Sequence, residues 1–356
     1  MLTPVQRRRL TLAGVVALIA VGVVALVDGS PDRVTSDEPV LLGAAGDGDA
    51  PAPAEPDRET RLRAGRALDM AVAAGPRNDG RLEIALIKED WQAPMVRTSD
   101  GGRVKRLRAW SVSKVLTAVA LLNRMGWDDD PGAPLAPEVA DALERALIRS
   151  ENCPQRRLTL ELQRLTDGTP DSAREAIGEV LRKAGAKRFA VARQSEPPEA
   201  LCTEYMERAQ GVLDPHAAAL LAGTSTWTVD DAARFALALG TGLYGEAVSE
   251  RLLSIMREPK LRSEEIYDLD FTAPLDWGLG AAFGTGNVSY KAGWGGAQQG
   301  TFAAEQMGVV VSPSSGPVAI AMAFHPNVQP SRDDPGVTRA PAALTEAAEA
   351  MKAYLD

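Results

Sequence analysis

Three short motifs in this 356-residue chain carry side chains that could do covalent chemistry without a histidine. The first is Ser111-Val-Ser-Lys114, placed where a helix begins. A serine hydroxyl becomes a competent nucleophile when a neighbouring base takes its proton. Residues three apart share a helix face, so Lys114 is expected to reach Ser111. The positive end of the helix dipole disfavours an ammonium there and favours an anionic oxygen. A lysine with a depressed pKa can therefore act as the base. Ser113 projects from another face, which leaves Ser111 as the candidate nucleophile. The second motif, Ser150-Glu-Asn152, follows a helical segment and offers a hydroxyl to relay a proton and a carboxamide to hold a carbonyl. The third, Lys291-Ala-Gly293, lies in a strand pattern, where the lysine supplies positive charge for a carboxylate and the glycine permits close approach. Lys183-Ala-Gly185 repeats those letters at a helix end and reads as a C-cap.

Each motif is weak alone. About one S-x-x-K is expected by composition in a chain of this size, and polar helix ends would supply the rest. What matters is the set of elements that would bring them together. A helix is expected over residues 58–74, ending at Gly75-Pro76. Leu82, Ile84 and Leu86 alternate as in a strand, and Gly101-Gly102 suggests a turn into a second one. A helix follows from about Ser111 to Met125, and helical pattern dominates residues 137–257. Strand pattern returns at Trp277–Phe283, Val288–Trp294, Met307–Val311 and Val318–Phe324, before a closing helix carrying Leu344, Ala348, Met351 and Leu355. Strands at both ends and helices between predict one antiparallel sheet built from distant segments, with a helical insertion.

Bulk properties narrow the chemistry. Acidic residues outnumber basic ones, 48 to 39, and no basic block lies in the body of the chain, which argues against nucleic acid as a partner. With only His216 and His325, a metal site or a Ser-His-Asp triad is unlikely on composition, and no cofactor is expected. At the N-terminus, Leu10 to Val27 carries no charge and is about long enough to span a bilayer as a helix. Arg7, Arg8 and Arg9 precede it, so residues 1–9 are expected in the cytoplasm and the remainder outside the membrane. A cleaved signal peptide, giving a secreted protein, is the competing reading. Residues 28–57, rich in Asp, Glu, Pro, Gly and Ala, read as a disordered linker to a domain over 58–356.

S-x-x-K, S-x-N and K-[ST]-G in this order mark the serine β-lactamases and D-alanyl-D-alanine peptidases, and the chain resembles that family over residues 58–356, closest to its class A branch. Arg193-Gln-Ser-Glu196-Pro-Pro-Glu-Ala-Leu201 resembles that branch's omega loop, and Thr224-Ser-Thr-Trp-Thr228 the turn after it. The resemblance implies an α/β (α+β) sandwich: an antiparallel sheet flanked by helices, with a helical subdomain. It implies that Ser111 is acylated, Lys114 accepts its proton and Ser150 passes a proton to the leaving nitrogen. Asn152 would position the substrate amide, Lys291 would attract a carboxylate, and the backbone N–H groups of Ser111 and Trp294, beside Gly293, would form an oxyanion hole. Glu196 is the candidate base for the deacylating water, with Glu199 and Glu204 as rivals. Ala292 departs from the pattern, because it lacks the hydroxyl that would help hold a substrate carboxylate, a loss on the order of 1.5–3 kcal/mol.

Cys153 adjoins Asn152, and Cys202 lies just past the omega-loop stretch. In an oxidising compartment a bond between them would clamp that loop against the S-x-N turn, adding roughly 4 kcal/mol by the chain-entropy model. Two buried free thiols are the alternative. The functional expectation is a membrane-anchored serine hydrolase that acylates on a small-molecule β-lactam or a cell-wall D-alanyl peptide. A surface binding module that has lost catalysis is the alternative, motivated by Ala292. Limited proteolysis is expected to cut first within residues 28–57, and first cuts inside residues 80–330 would overturn the assigned linker.

Overall fold

The structure is a computed structural model that describes residues 58–131, 134–191, 225–258, 277–284, 286–295, 303–312, 316–328 and 336–355. The uncharged run 10–27, the linker, Glu196 and Cys202 lie outside the described residues. Among the described residues no helix is long and apolar enough to cross a membrane.

Helix α1 (Arg58–Val72) places Ala64, Ala67, Leu68 and Ala71 on one buried stripe. A short helix α2 (Ala74–Arg77) leads into β1 (Gly80–Lys88), and β2 (Met95–Thr98) pairs back on it. After the two-residue strand β3 (Leu107–Arg108), a 3-10 turn (Trp110–Val112) runs into α3 (Ser113–Arg124). Four helices follow: α4 (Pro137–Leu147), α5 (Asn152–Leu165), α6 (Pro170–Lys183) and, after β4 (Thr226–Trp227), α7 (Val229–Gly240). Then come α8 (Glu246–Arg257), α9 (Leu279–Phe283), β5 (Val288–Gly295), β6 (Ala303–Ser312), β7 (Gly316–Pro326) and α10 (Gly336–Leu355).

The main sheet is antiparallel throughout, in the order β2-β1-β7-β6-β5. Its two faces are covered differently. Leu82, Ile84 and Leu86 of β1 share a face with Phe324, Gln306 and Ala292, on the side packed by α1, α9 and α10. Glu83, Ala85 and Ile87 share the other face with Ala323, Glu305, Lys291 and Gly293, on the side of α7 and the 3-10 turn. Helix α3 is buried on every side from Ser113 to Leu122, as expected of a helix that passes through a core.

Several expectations need correction. The strand expected at Leu82–Leu86 is present and needs none: it is β1, buried on both faces because helices cover both. Gly75-Pro76 sits inside α2, since proline is tolerated in a helix's first turn, and does not end the first helix. The Gly101-Gly102 turn follows β2 and does not introduce it. Trp277–Phe283 yields the short helix α9, whose Leu279 N–H donates to the buried Gln306 side chain at 2.8 Å. An apolar run of that length does not distinguish strand from buried helix.

Candidate active site

The nucleophile candidate sits where two backbone constraints meet. Trp110 has φ 39° and Ser150 has φ 59°, in a region that costs non-glycine residues on the order of 1–3 kcal/mol. Each lies in a short connection leading into a helix, α3 and α5 respectively. The Ser113 hydroxyl donates to the Trp110 carbonyl at 2.6 Å and ties the turn to the start of α3. The Trp110 indole packs under the Arg108 guanidinium, 5.5 Å from the ring centre. These contacts leave Ser111 and Ser150 partly open, while Lys114 and Lys291 are buried.

Four of the sequence-selected side chains form one connected chain of contacts. Lys114 Nζ lies 3.0 Å from Ser111 Oγ and donates to the Ser150 carbonyl. It is also 3.5 Å from Ser150 Oγ. Lys291 Nζ donates to Ser150 Oγ at 2.7 Å and to the carbonyl of Ala292 at 2.9 Å. Ser150 is thus the node between two lysines. Lys183, which carries the same following residues as Lys291, ends α6 ahead of Gly185 at φ 75°, as its reading as a C-cap requires.

The electrostatics follow from burial. Lys114 has no exposed surface, and desolvation pushes its ammonium down to about 7, with the nearby Glu151 carboxylate pulling the other way. Glu151, also fully buried, accepts from two Arg145 nitrogens at 2.5 and 2.9 Å, both on Oε2, which offsets part of its charge. A lysine balanced near neutrality can either donate to Ser111 or take its proton across the same 3.0 Å contact.

Strand β5 closes the other side. A Cβ on Gly293 would stand 2.9 Å from the Ser111 nitrogen and 3.0 Å from that of Val112. One on Gly295 would stand 2.7 Å from the Trp110 ring. Both glycines face the 3-10 turn, so the strand backbone lies directly against the N–H groups at the start of α3. Trp294, between them, pairs with Ala304 in the sheet. Ala292 points to the opposite face and packs at the edge of the core.

Not every expected residue is placed. Asn152 opens α5, but its side chain, like that of Trp294, lies outside the described residues. Glu196 and its rivals Glu199 and Glu204 also fall outside them. Cys153 is buried beside Asn152, and its expected partner Cys202 is not among the described residues. Among the described residues no cluster of side chains suits a metal ion. The sequence reading missed Glu151 with Arg145, and it missed Glu305, a fully buried carboxyl on β6 opposite Gly293.

No family model matches the sequence, and no curated protein does. Solved structures do match the fold. An ancestral class A β-lactamase shares 18% identity, with 81% of this chain and 99% of that chain covered at a TM-score of 0.51. The β-lactamase from Streptosporangium roseum shares 15% identity over 82% and 98% of the two chains, at a TM-score of 0.50. A class A β-lactamase from Bacteroides cellulosilyticus shares 13% over 83% and 100%, at 0.51. The chain has a serine β-lactamase-like fold. The antiparallel sheet flanked by helices, expected from the element pattern and the family resemblance, is the architecture found.

Gly293→Ala is expected to lower the unfolding free energy by about 1–3 kcal/mol, because the clash is with backbone that cannot rotate away. Urea denaturation measures this. A variant as stable as the parent chain would mean that the turn is not seated on β5 as described.

Proposed function

We propose that this protein is a serine hydrolase that forms an acyl-enzyme at Ser111, with a β-lactam or a D-alanyl peptide amide as substrate. The observation that carries the proposal is the contact chain Ser111–Lys114–Ser150–Lys291, assembled from four separate elements around two partly open hydroxyls. Its chemistry follows in order. Neutral Lys114 takes the Ser111 proton as Oγ attacks the carbonyl carbon. The developing oxyanion is stabilised by the N–H of Ser111 and that of Trp294, across the contact that Gly293 permits. The C–N bond then breaks, and the Ser150 hydroxyl gives its proton to the leaving nitrogen. Ser150 can do so because its oxygen accepts from Lys291, which leaves its own hydrogen available, and Lys114 can return a proton to it. Lys291 also supplies fixed charge for a substrate carboxylate. Asn152 would hold the substrate amide.

Water must hydrolyse the ester to complete a cycle, and Glu196 is the proposed base for that step. The fold's likeness to class A β-lactamases supports a β-lactam as substrate; Ala292 faces the core side of β5, so its missing hydroxyl carries no argument about turnover. We further propose that residues 10–27 anchor the protein with its catalytic domain outside the membrane, so that cleavage in 28–57 would release the activity from membranes. A Cys153–Cys202 bond fits that compartment, and Cys153 is not a free thiol in the structure.

Incubating the full chain with a fluorescent penicillin and following intact mass tests the reaction. A covalent adduct is expected in the parent chain and none in Ser111→Ala. The rate of adduct formation should rise as pH increases through about 7, because the base is the neutral form of Lys114. Turnover without a lasting adduct would identify a β-lactamase, and no reaction with penicillins or D-alanyl peptides would favour the binding module. Thiol titration of the denatured, unreduced protein is expected to find none, and two free thiols would end the disulfide proposal.

A further inference from the structure

Glu305 takes no part in the chemistry described so far, yet it lies directly behind it. Its place is set by register. On β6 it stands opposite Gly293 of β5 on one side and Ala323 of β7 on the other, with Glu83 of β1 one strand further. Directly opposed residues in an antiparallel pair share a face, with Cβ positions about 5 Å apart. The Cβ position of Gly293 is 2.9 Å from the Ser111 nitrogen, so the Glu305 side chain rises beside the turn that carries the nucleophile. The neighbours on that face, Gly293 and Ala323, are small and leave it room.

Glu305 Oε2 accepts a hydrogen bond from Trp227 Nε1 at 3.0 Å, and both residues are buried. Trp227 belongs to β4, which pairs with β3 through Leu107–Trp227 and Arg108–Thr226. The next residue, Ala109, donates its N–H to the Ser225 carbonyl at 2.8 Å. Then come Trp110 and Ser111. The path from the sheet to the nucleophile therefore runs Glu305, Trp227, Leu107, Ala109, Ser111. A second carboxyl on the same face, Glu83, receives the Lys105 N–H at 3.1 and 3.2 Å and fixes the start of the same segment.

Resting on the acyl-enzyme reading above, we propose that Glu305 is a positioning residue that, through Trp227, holds the Leu107–Val112 segment so that Ser111 faces both Lys114 and the oxyanion pocket. Either form of the carboxyl accepts from Trp227, and the protonated form adds no buried charge beside the turn. Burial pushes Glu305 up to about 8, against the pull of the Trp227 hydrogen bond, so it carries its proton at neutral pH and loses it as pH rises. Oε1 has no partner among the described residues. The ionisable groups that share its face are Lys291 of β5, His325 of β7, and Glu83 with Arg81 of β1. From the start of α7 come Asp230, paired with Arg234 at 3.3 Å, and Asp231, turned to the N–H groups of Lys187 and Arg188 and to Thr228. The 3-10 turn contributes no ionisable group. A buried acid with one oxygen unpaired is a poor stabilising element, which points to retention for placement.

The test compares Glu305→Gln, Glu305→Leu and Trp227→Phe in the full chain. Labelling of Ser111 by a saturating fluorescent penicillin is expected to slow on the order of tenfold in Glu305→Leu, which orphans the buried Trp227 N–H and lowers thermal stability, and to slow similarly in Trp227→Phe, which removes that donor. Glutamine keeps an acceptor for Trp227 and cannot ionise, so it should restore the rate. It should also remove a decline in labelling that the parent chain shows above about pH 8. Labelling of Glu305→Leu within about twofold of the parent, or an unchanged alkaline decline in Glu305→Gln, overturns the proposal. A second readout does not need the reaction. The Trp227 indole N–H resonance, assigned by its loss in Trp227→Phe, should shift with pH through about 8 in the parent and stay fixed in Glu305→Gln. If penicillin fails to react but the indole resonance differs between the parent and Glu305→Leu, the function assigned above fails while the Glu305–Trp227 contact stands; a resonance unchanged by Glu305→Leu overturns the contact itself.

Discussion

A lysine with no exposed surface imposes most of the local architecture. An ammonium that deep is costly unless it is hydrogen-bonded, and it tends to give up its proton. Lys114 answers both demands by lying between Ser111, the Ser150 carbonyl and the Ser150 hydroxyl. Those partners require Ser150 to present its carbonyl and its hydroxyl toward α3 together. The positive φ of Ser150 is how a short connection does so. The burial itself comes from α3, whose apolar residues Val115, Leu116, Val119 and Leu122 draw the whole helix into the core and take the lysine with them.

The counter-charge is set just as carefully. Glu151 is adjacent to Ser150 and fully buried, so an unshielded carboxylate there would hold Lys114 as a cation. Arg145 takes the Glu151 carboxylate by two nitrogens instead. The result is an amine whose proton is easily moved, beside Lys291, which lies under Ser150. The two lysines that meet this serine come from different elements, one from α3 and the other from the sheet-edge strand β5.

How much of this was legible in the sequence depends on the range of the interaction. Ser111 and Lys114 are a helical step apart, so their contact could be read from spacing alone. Ser150 and Lys291 were found only because the order of the motifs resembles a known family, since nothing local says that β5 reaches the turn before α5. The strands Val288–Trp294 and Val318–Phe324 were readable from their patterns, while α9 was mistaken for one because its seven-residue apolar stretch fits either state. Glu151, Glu83 and Glu305 left no trace at sequence level. A glutamate inside an apolar strand looks like an interruption of the pattern, and only cross-strand register reveals that it faces a donor from a distant segment. Glu196 and Cys202, read from a loop, remain proposals.

The same logic explains why the sheet face under the 3-10 turn carries the buried carboxyls Glu83 and Glu305. A 3-10 turn and a two-residue strand have little secondary structure to fix them. Their backbone N–H groups must find partners off the segment, or stay unpaired at a cost of about 1–3 kcal/mol each. Glu83 supplies an acceptor for Lys105, and Glu305 anchors Trp227, whose strand is the partner of Leu107 and Arg108. An apolar face would pack well, but it would let the turn slide along the strand. Acceptors at fixed register positions do not allow that, and the glycines at 293 and 295 then let the turn settle at one distance from the strand. Buried carboxyls thus trade some stability for a fixed turn, and that exchange suits the proposed reaction, which would depend on where the Ser111 hydroxyl points.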